Sequence, residues 1–276
     1  MNKIPTLKQM YTDLGCQEKI VDGVCWFECN TNADKVIIIS HGVTGGKIDM
    51  VPLCKKYVKL GFAVYAVDLP GHGGSVMPEA NDYDDLTRWL MKVLRVIDRE
   101  PDAIIGNSFS SSIVYHALRT GKISKSTKII MACPTPDQSR LADFLQGLSN
   151  HLPSKFAWEV YNTKPIQRIR IASALKTRPR REDAWVWLVE SESGKKSSLA
   201  LEDSNTLTTM LYEKNPYIKG VSDDYDITVI IGSKDNIITP RTRAIMKDLL
   251  PAATFVLAPG AGHILHFEAV DSYPEL

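Results

Sequence analysis

Short runs of β-branched and apolar residues recur along the chain, each closed by a turn of glycine, proline or small polar residues. "VIIIS" (36–40) runs into "HGVTGG", "FAVYAVDL" (62–69) into "PGHGGS", and "AIIGN" (103–107) into a cluster of serines. "KIIMA" (128–132) ends at Cys133-Pro134, "ITVIIG" (227–232) at "SKDN", and "TFVLA" (254–258) at "PGAGH". A strand with one wet face alternates apolar and polar residues, whereas a strand buried on both faces is continuously apolar, as in a parallel sheet. Parallel neighbours need crossovers, and helical patterns supply them. Leu86, Trp89, Leu90, Val93, Leu94 and Ile97 form one apolar stripe at helical spacing. "SIVYHALRTG" predicts a second helix closed at Gly121, and "TRAIMKDLLP" a third stopped by Pro251. Alternating strand and helix predicts an α/β fold with right-handed crossovers.

The rhythm breaks between residues 135 and 222. "SRLADFLQGLSNHL" places Leu141, Phe144, Leu145, Leu148 and Leu152 on one helical face, and more mixed segments with Trp158, Trp185 and Trp187 follow. The division expected is a core of residues 1–134 and 223–276 with a helical cap, 135–222, inserted over the carboxyl edge of the sheet. Trp185 and Trp187, two positions apart, fall on different helix faces, so at most one faces a pocket.

The chain has 276 residues, 44% hydrophobic and 24% charged, with a formal net charge of +1. Such a balance points to no polyanionic partner. Its five cysteines (Cys16, Cys25, Cys29, Cys54 and Cys133) are odd in number and lack paired metal-site spacing, so a disulfide framework is not expected and a reduced cytosol is the simpler reading. The first residues lack the apolar core of a signal peptide, and the apolar runs are far shorter than the roughly eighteen residues of a membrane span. A cytoplasmic protein is expected.

Ligands of open α/β sheets bind beyond the carboxyl ends of the strands, so polar residues there are the candidates. Gly106-Asn107-Ser108-Phe109-Ser110 has the form G-x-S-x-S between a strand and a helix. A nucleophile held on a sharp strand-to-helix turn needs small residues two before and two after it, and Ser108 has them. Alone, Ser108 reads rather as a helix-capping serine. Asp235 follows a strong strand in "GSKDNIITP", although it also suits a cap of the next segment. His263 lies in a glycine turn in "APGAGHILHFE", and His266, its rival, falls on the helix that follows. Serine is a poor nucleophile near neutral pH, and an imidazole oriented by a carboxylate takes and returns its proton. The order Ser108, Asp235, His263 suits a triad. The backbone N–H groups of Val43 and Phe109 are the expected oxyanion hole, with Gly42 allowing close approach and His41 holding the loop. His116 and His151 read as surface or helix-face residues. No metal or cofactor is expected.

These motifs resemble the α/β-hydrolase family over roughly residues 30–134 and 223–270. "DLPGHGGS" (68–75) is similar to the D-x-x-G-H-G-x-S stretch of capped esterases, monoacylglycerol lipases and carbon–carbon-bond hydrolases. In those relatives the aspartate and histidine shape a loop, so the resemblance gives Asp68 and His72 no catalytic role. Relatives that open epoxides or remove halides carry aspartate where Ser108 stands, which implies acyl transfer here. Ser110 departs from the usual second glycine. The resemblance implies hydrolysis of a small-molecule carboxylic ester through an acyl-serine. The alternatives are a thioesterase or acyltransferase, carbon–carbon hydrolysis with the same triad, or a non-catalytic ligand receptor on the same fold. From Lys164 to Arg181 the chain carries seven basic residues and no acidic one. This run is either a solvated helix face or an electropositive rim for an anionic substrate, such as an acyl group on coenzyme A or an acidic carrier protein. Stacking aromatics are not interleaved with it, so nucleic acid is not the expected partner.

Overall fold

The computed structural model describes residues 4–43, 45–136, 159–160, 163–179, 181–194, 203, 206–207, 210 and 214–276. One eight-stranded sheet organises them, in the order β1-β2-β4-β3-β5-β6-β7-β8. The strands are β1 (Gln17–Val21), β2 (Val24–Cys29), β3 (Lys35–Ser40), β4 (Phe62–Val67), β5 (Ala103–Asn107), β6 (Lys128–Ala132), β7 (Ile227–Gly232) and β8 (Thr254–Ala258). From β4 onward the pairings are parallel, while β1–β2 and β2–β4 are antiparallel. The six expected strands are all present, and their apolar runs fill the core: Ile37, Ile39, Val64, Ile105 and Val229 are fully buried.

Helices cover both faces, as parallel pairing requires. α1 (Leu7–Asp13) and α2 (Val51–Lys59) precede α3 (Tyr83–Ile97) and α4 (Phe109–Arg119). α3 starts where the Asp82 side chain accepts the Asp85 N–H, and its stripe of Leu86, Trp89, Leu90, Val93 and Ile97 is buried. α5 (Lys164–Ala174) and α6 (Glu182–Gly194) fall between β6 and β7 in the chain, and α7 (Pro240–Leu249) links β7 to β8. The segment expected as a helix over 139–152, together with Trp158 and His151, lies outside the described residues. No helix among the described residues is long and apolar enough to cross a membrane.

Two expectations need correction. Cys16 and Cys29 form a disulfide. Cys16 directly precedes β1, whose antiparallel register pairs Gln17 with Glu28, so the next rung sets Cys16 against Cys29. The five β1 residues are all exposed and include Gln17, Glu18 and Lys19, a polar edge that blunts pairing with other chains but carries no strand signature. Without that hairpin the two cysteines look unrelated, and with the bridge in place the argument for a reduced cytosol loses its footing. His116 is the second correction. It lies on a helix face as expected, but it is buried, with Nδ1 2.9 Å from Thr87 Oγ1 between α3 and α4.

The bridge closes a short loop, with a sequence separation of 13. A loop of about 15 residues carries roughly 3 kcal/mol in the chain-entropy account, and a pre-formed hairpin reduces that. Cys29→Ser is therefore expected to lower unfolding free energy by about 2 kcal/mol. Urea unfolding with and without reductant checks it: wild type should shift on reduction and the variant should not.

Candidate active site

The parallel register brings strand ends to one edge. Ser40 pairs with Gly106, Asn107 with Ala132, and Gly232 with Ala258. The residues that follow these ends carry the candidate chemistry.

Ser108 sits between β5 and α4 with φ 53° and ψ −112°, a conformation that side chains other than glycine rarely adopt. The turn is tight enough that a Cβ on Gly106 would lie 2.8 Å from the Ser111 nitrogen. The surroundings hold the strain in place. Ser108 N–H donates to the Ala132 carbonyl at 2.7 Å, and Ser111 N–H to the Ser108 carbonyl at 3.0 Å. Ser110 is a clamp: its Oγ accepts the Asn107 N–H at 2.6 Å and donates to the Ser40 carbonyl at 3.0 Å. Asn107 Nδ2 donates to that same carbonyl at 2.9 Å, and Tyr273 OH donates to Asn107 Oδ1 at 2.6 Å. Ser111 bonds the Gly106 carbonyl and Ser112 the Tyr217 hydroxyl, so Ser108 alone of the four serines turns toward the histidine.

His263 Nε2 lies 2.9 Å from Ser108 Oγ, and His263 Nδ1 lies 2.8 Å from Asp235 Oδ2. Asp235 Oδ1 accepts the N–H groups of Ile237 and Ile238 at 2.8 and 3.1 Å. Burial opposes the Asp235 charge, yet the His263 bond and these two N–H groups outweigh it and hold the carboxyl below its ordinary pKa. With Asp235 ionised, Nδ1 carries the ring proton and Nε2 is the acceptor for a serine hydroxyl. His266 falls on the short helix Leu265–Glu268, as expected.

Cys133, Asp235 and His263 offer ligand atoms within 4.8 Å of one another. Burial, then the nearby Asp235 charge, push the Cys133 pKa well up, so it stands there as a thiol while Asp235 and His263 are bonded to each other. In the structure Asp235 and His263 are hydrogen-bonded to each other within this group.

Glu268, 3% exposed, was not singled out in the sequence. Its Oε2 accepts the Gly262 N–H at 2.7 Å, and its Oε1 accepts the N–H groups of Lys176 and Thr177 at 2.5 and 2.8 Å and the Thr177 hydroxyl at 3.1 Å. The turn that carries His263 is thereby tied to the chain leaving α5. Tyr273 was also missed; neither residue carries a local signal, because its partners are distant in sequence.

His41 behaves as expected. Its Nδ1 lies 2.7 Å from the Gly42 carbonyl, and its Nε2 accepts the Leu69 N–H at 3.0 Å. Gly42 packs on Ser108: a Cβ there would lie 3.1 Å from Ser108 Cβ. Val43 follows it, half-buried, in the turn leaving β3, and Phe109 is the first residue of α4. Asp68 lies behind this loop, accepting the Lys47 N–H at 2.8 Å and the Lys47 ammonium at 2.5 Å. Burial opposes its charge, but His41 and Lys47 outweigh it and bring its pKa down to about 2. Of the two, Lys47 carries the full positive charge. His41 Nε2 is 3.6 Å from Asp68 Oδ1 but is already occupied by the Leu69 N–H. In the basic run, Lys164 and Arg168 are exposed, Arg178 bonds the Leu175 and Thr177 carbonyls, and Arg181 pairs with Asp183 and the Glu268 carbonyl.

Residues 37–275 match the alpha/beta hydrolase family, so the chain belongs to that family. No curated protein matches the chain in sequence. Among solved structures, a lipase candidate from Acinetobacter baumannii is 19% identical, with 96% of this chain and 90% of that chain covered and a TM-score of 0.72. A carboxylesterase from Nitrososphaera gargenis is 19% identical, with coverage of 91% and 92% and a TM-score of 0.66. An epoxide hydrolase from Mycobacterium thermoresistibile is 17% identical, with coverage of 93% and 98% and a TM-score of 0.65. These likenesses show a shared fold.

Two measurements test the site's framework. Ser110→Ala removes the clamp and leaves the buried Asn107 N–H without that acceptor, so stability should fall by about 1–3 kcal/mol in denaturant unfolding. The Asp68 pKa is depressed in the folded chain, from an ordinary 3.8 to about 2. Its contribution is therefore fully present above the ordinary value and lost as pH falls toward the folded value. Asp68→Asn should flatten the loss of stability between about pH 5 and about pH 2, and at neutral pH should cost about 3 kcal/mol by leaving Lys47 short of a partner.

Proposed function

We propose that this protein is a serine hydrolase that cleaves a small-molecule carboxylic ester through an acyl-serine intermediate. The observation that carries the reading is the hydrogen-bonded chain Ser108 Oγ, His263 Nε2, His263 Nδ1, Asp235 Oδ2, at 2.9 and 2.8 Å. His263 takes the Ser108 proton as Oγ attacks the ester carbonyl, forming the new C–O bond and placing the electron pair on the carbonyl oxygen. The oxyanion sits against the N–H groups of Val43 and Phe109. The Phe109 N–H is among the first of a helix and has no intrahelical acceptor, which supports its part. Collapse of the tetrahedral species expels the alkoxide, which takes the proton from His263. Water, deprotonated by the same imidazole, then releases the acid and restores Ser108. Asp235, held ionised, orients the ring and stabilises its protonated form.

The fold is common to hydrolases of different chemistry, so identity at position 108 decides. A serine with a base at hydrogen-bond distance favours acyl transfer over the carboxylate chemistry of epoxide opening. In this reading residues 135–222 cap the site and shape its pocket. Thioester and carbon–carbon cleavage use the same three groups. Arg178 and Arg181 are engaged by their own surroundings, which favours a locally compensated face over a rim for an anionic carrier.

A fluorophosphonate probe should label wild type at Ser108 and leave Ser108→Ala unlabelled. p-Nitrophenyl acetate turnover should fall to background in Ser108→Ala and by about a hundredfold or more in Asp235→Asn, with the fold unchanged by circular dichroism. Retained turnover in Ser108→Ala would overturn the reading.

A further inference from the structure

The turn that carries His263 is rich in glycine and is held from two sides. Gly260 has φ 71°, and Gly262 directly precedes His263. Such a turn keeps a backbone freedom that outside contacts must remove. On the β7 side, Gly260 N–H donates to Ser233 Oγ at 2.8 Å, and the Ala261 carbonyl accepts the Lys234 N–H at 2.9 Å. Those bonds hold residues 260 and 261. Gly262 then gives its N–H to Glu268 Oε2 at 2.7 Å. Of these three restraints, the last stands nearest in the chain to the imidazole.

Glu268 passes that restraint to a distant part of the chain. Its Oε1 accepts the Lys176 N–H at 2.5 Å, the Thr177 N–H at 2.8 Å and the Thr177 hydroxyl at 3.1 Å. The two oxygens belong to one planar group, so a shift of residues 176–177 reaches Gly262 with no rotatable bond between the oxygens to absorb it. The Glu268 backbone is held from the same direction: Arg181 Nη1 donates to its carbonyl at 3.1 Å. The neighbouring Phe267 ring lies 6.4 Å, centroid to centroid, from the Trp187 ring of α6. Every side-chain bond of Glu268 is accepted, at both oxygens. Glutamine has the same shape but presents an NH2 group at one end, where it would face the N–H donors of one segment or the other. The residue is buried, so little water reaches the donors left over.

We propose that Glu268 is a positioning residue for His263, making the alignment of Nε2 with Ser108 Oγ conditional on the seating of residues 176–181. The proposal rests on the hydrolase reading, in which the 2.9 Å contact between those atoms carries the proton transfer. Glu268 acts through the Gly262 backbone, one residue before the ring. When Lys176 and Thr177 move, the carboxylate moves with them, the Gly262 nitrogen follows, and the imidazole swings. A misplacement on the order of 1 Å costs about a hundredfold in rate, so a small displacement there suffices to silence the base.

Kinetics and histidine NMR of the full chain test this. In Glu268→Gln, kcat for p-nitrophenyl acetate should fall about tenfold or more with KM within about twofold of wild type, and fluorophosphonate labelling should slow in parallel. Ring-nitrogen spectra of the [15N]histidine-labelled chain at about pH 8, with His263 assigned by its loss in His263→Ala, should show the Nδ1–H tautomer in wild type. In Glu268→Gln the His263 shifts should move toward an average of both tautomers. A purely structural role would lower the unfolding midpoint and leave kcat and these shifts unchanged. Thr177→Val keeps every backbone bond and the side-chain shape, and carries the test if Glu268→Gln does not fold; its kcat should fall about twofold to fivefold with the same direction of shift. A folded Glu268→Gln with wild-type kcat or wild-type ring shifts would overturn the proposal, and so would a Thr177→Val indistinguishable from wild type in both. If wild type neither turns over the ester nor labels at Ser108, the hydrolase reading fails, and the ring shifts still decide whether Glu268 places His263.

Discussion

The site depends on one strained residue, Ser108, and on the contacts that force the chain through it. A positive φ at a non-glycine residue costs on the order of 1–3 kcal/mol and persists only where neighbours over-determine it. Here the Ser40 carbonyl gathers two of the restraints, accepting both Ser110 Oγ and Asn107 Nδ2. Ser40 is the last residue of β3 and pairs with Gly106 of β5, so strand register places that carbonyl under the turn. Gly106 leaves room for the start of α4, and Gly42 leaves room for the Ser108 side chain. The serine at position 110 replaces the backbone freedom of glycine with a side-chain bond across the turn. That explains how a G-x-S-x-S sequence supports the same sharp bend.

The histidine turn is held differently. Gly232, at the end of β7, packs so closely on it that a Cβ would fall 2.1 Å from the Gly262 carbonyl oxygen. On the opposite side a Cβ on Gly262 would meet the Ala174 carbonyl and the Lys176 side chain at 2.9 and 2.7 Å. Glycine at both positions lets β7, the turn and the chain leaving α5 stack without side chains between them. Glu268 then joins the last two by hydrogen bonds. His263 is therefore placed jointly by the sheet and by the chain leaving α5, and displacement of either moves Nε2 relative to Ser108.

The parallel part of the sheet was legible, and the three residues of the candidate site stood out, for a shared physical reason. Strands buried on both faces are apolar throughout, and the polar residues that follow them stand out by contrast; Ser108, Asp235 and His263 each follow such a strand. β1 was not legible because it is an exposed polar edge, and with it went the pairing of Cys16 with Cys29. Glu268, Tyr273 and Asn107 were not legible as supports because their roles come from contacts across the fold; the Tyr273–Asn107 bond spans 166 residues. His116 looked like a surface residue because nothing local shows that Thr87 of α3 meets it.

Three buried carboxylates at one edge of the sheet show how the fold separates structural charge from reactive charge. Asp68 has a full cation, Lys47, against it. Glu268 has three backbone N–H groups and a hydroxyl, and no imidazole bonded to it among the described residues. Asp235 has two backbone N–H groups on one oxygen, which leaves the other for His263. Two N–H groups stabilise the charge without neutralising it, so Asp235 remains ionised and its remaining oxygen can fix the ring. A lysine in that place would quench the field that His263 feels when it is protonated. Further N–H donors on the second oxygen would compete with Nδ1. The compensation given to each carboxylate, rather than its burial, distinguishes Asp235, the one bonded to His263, from the other two.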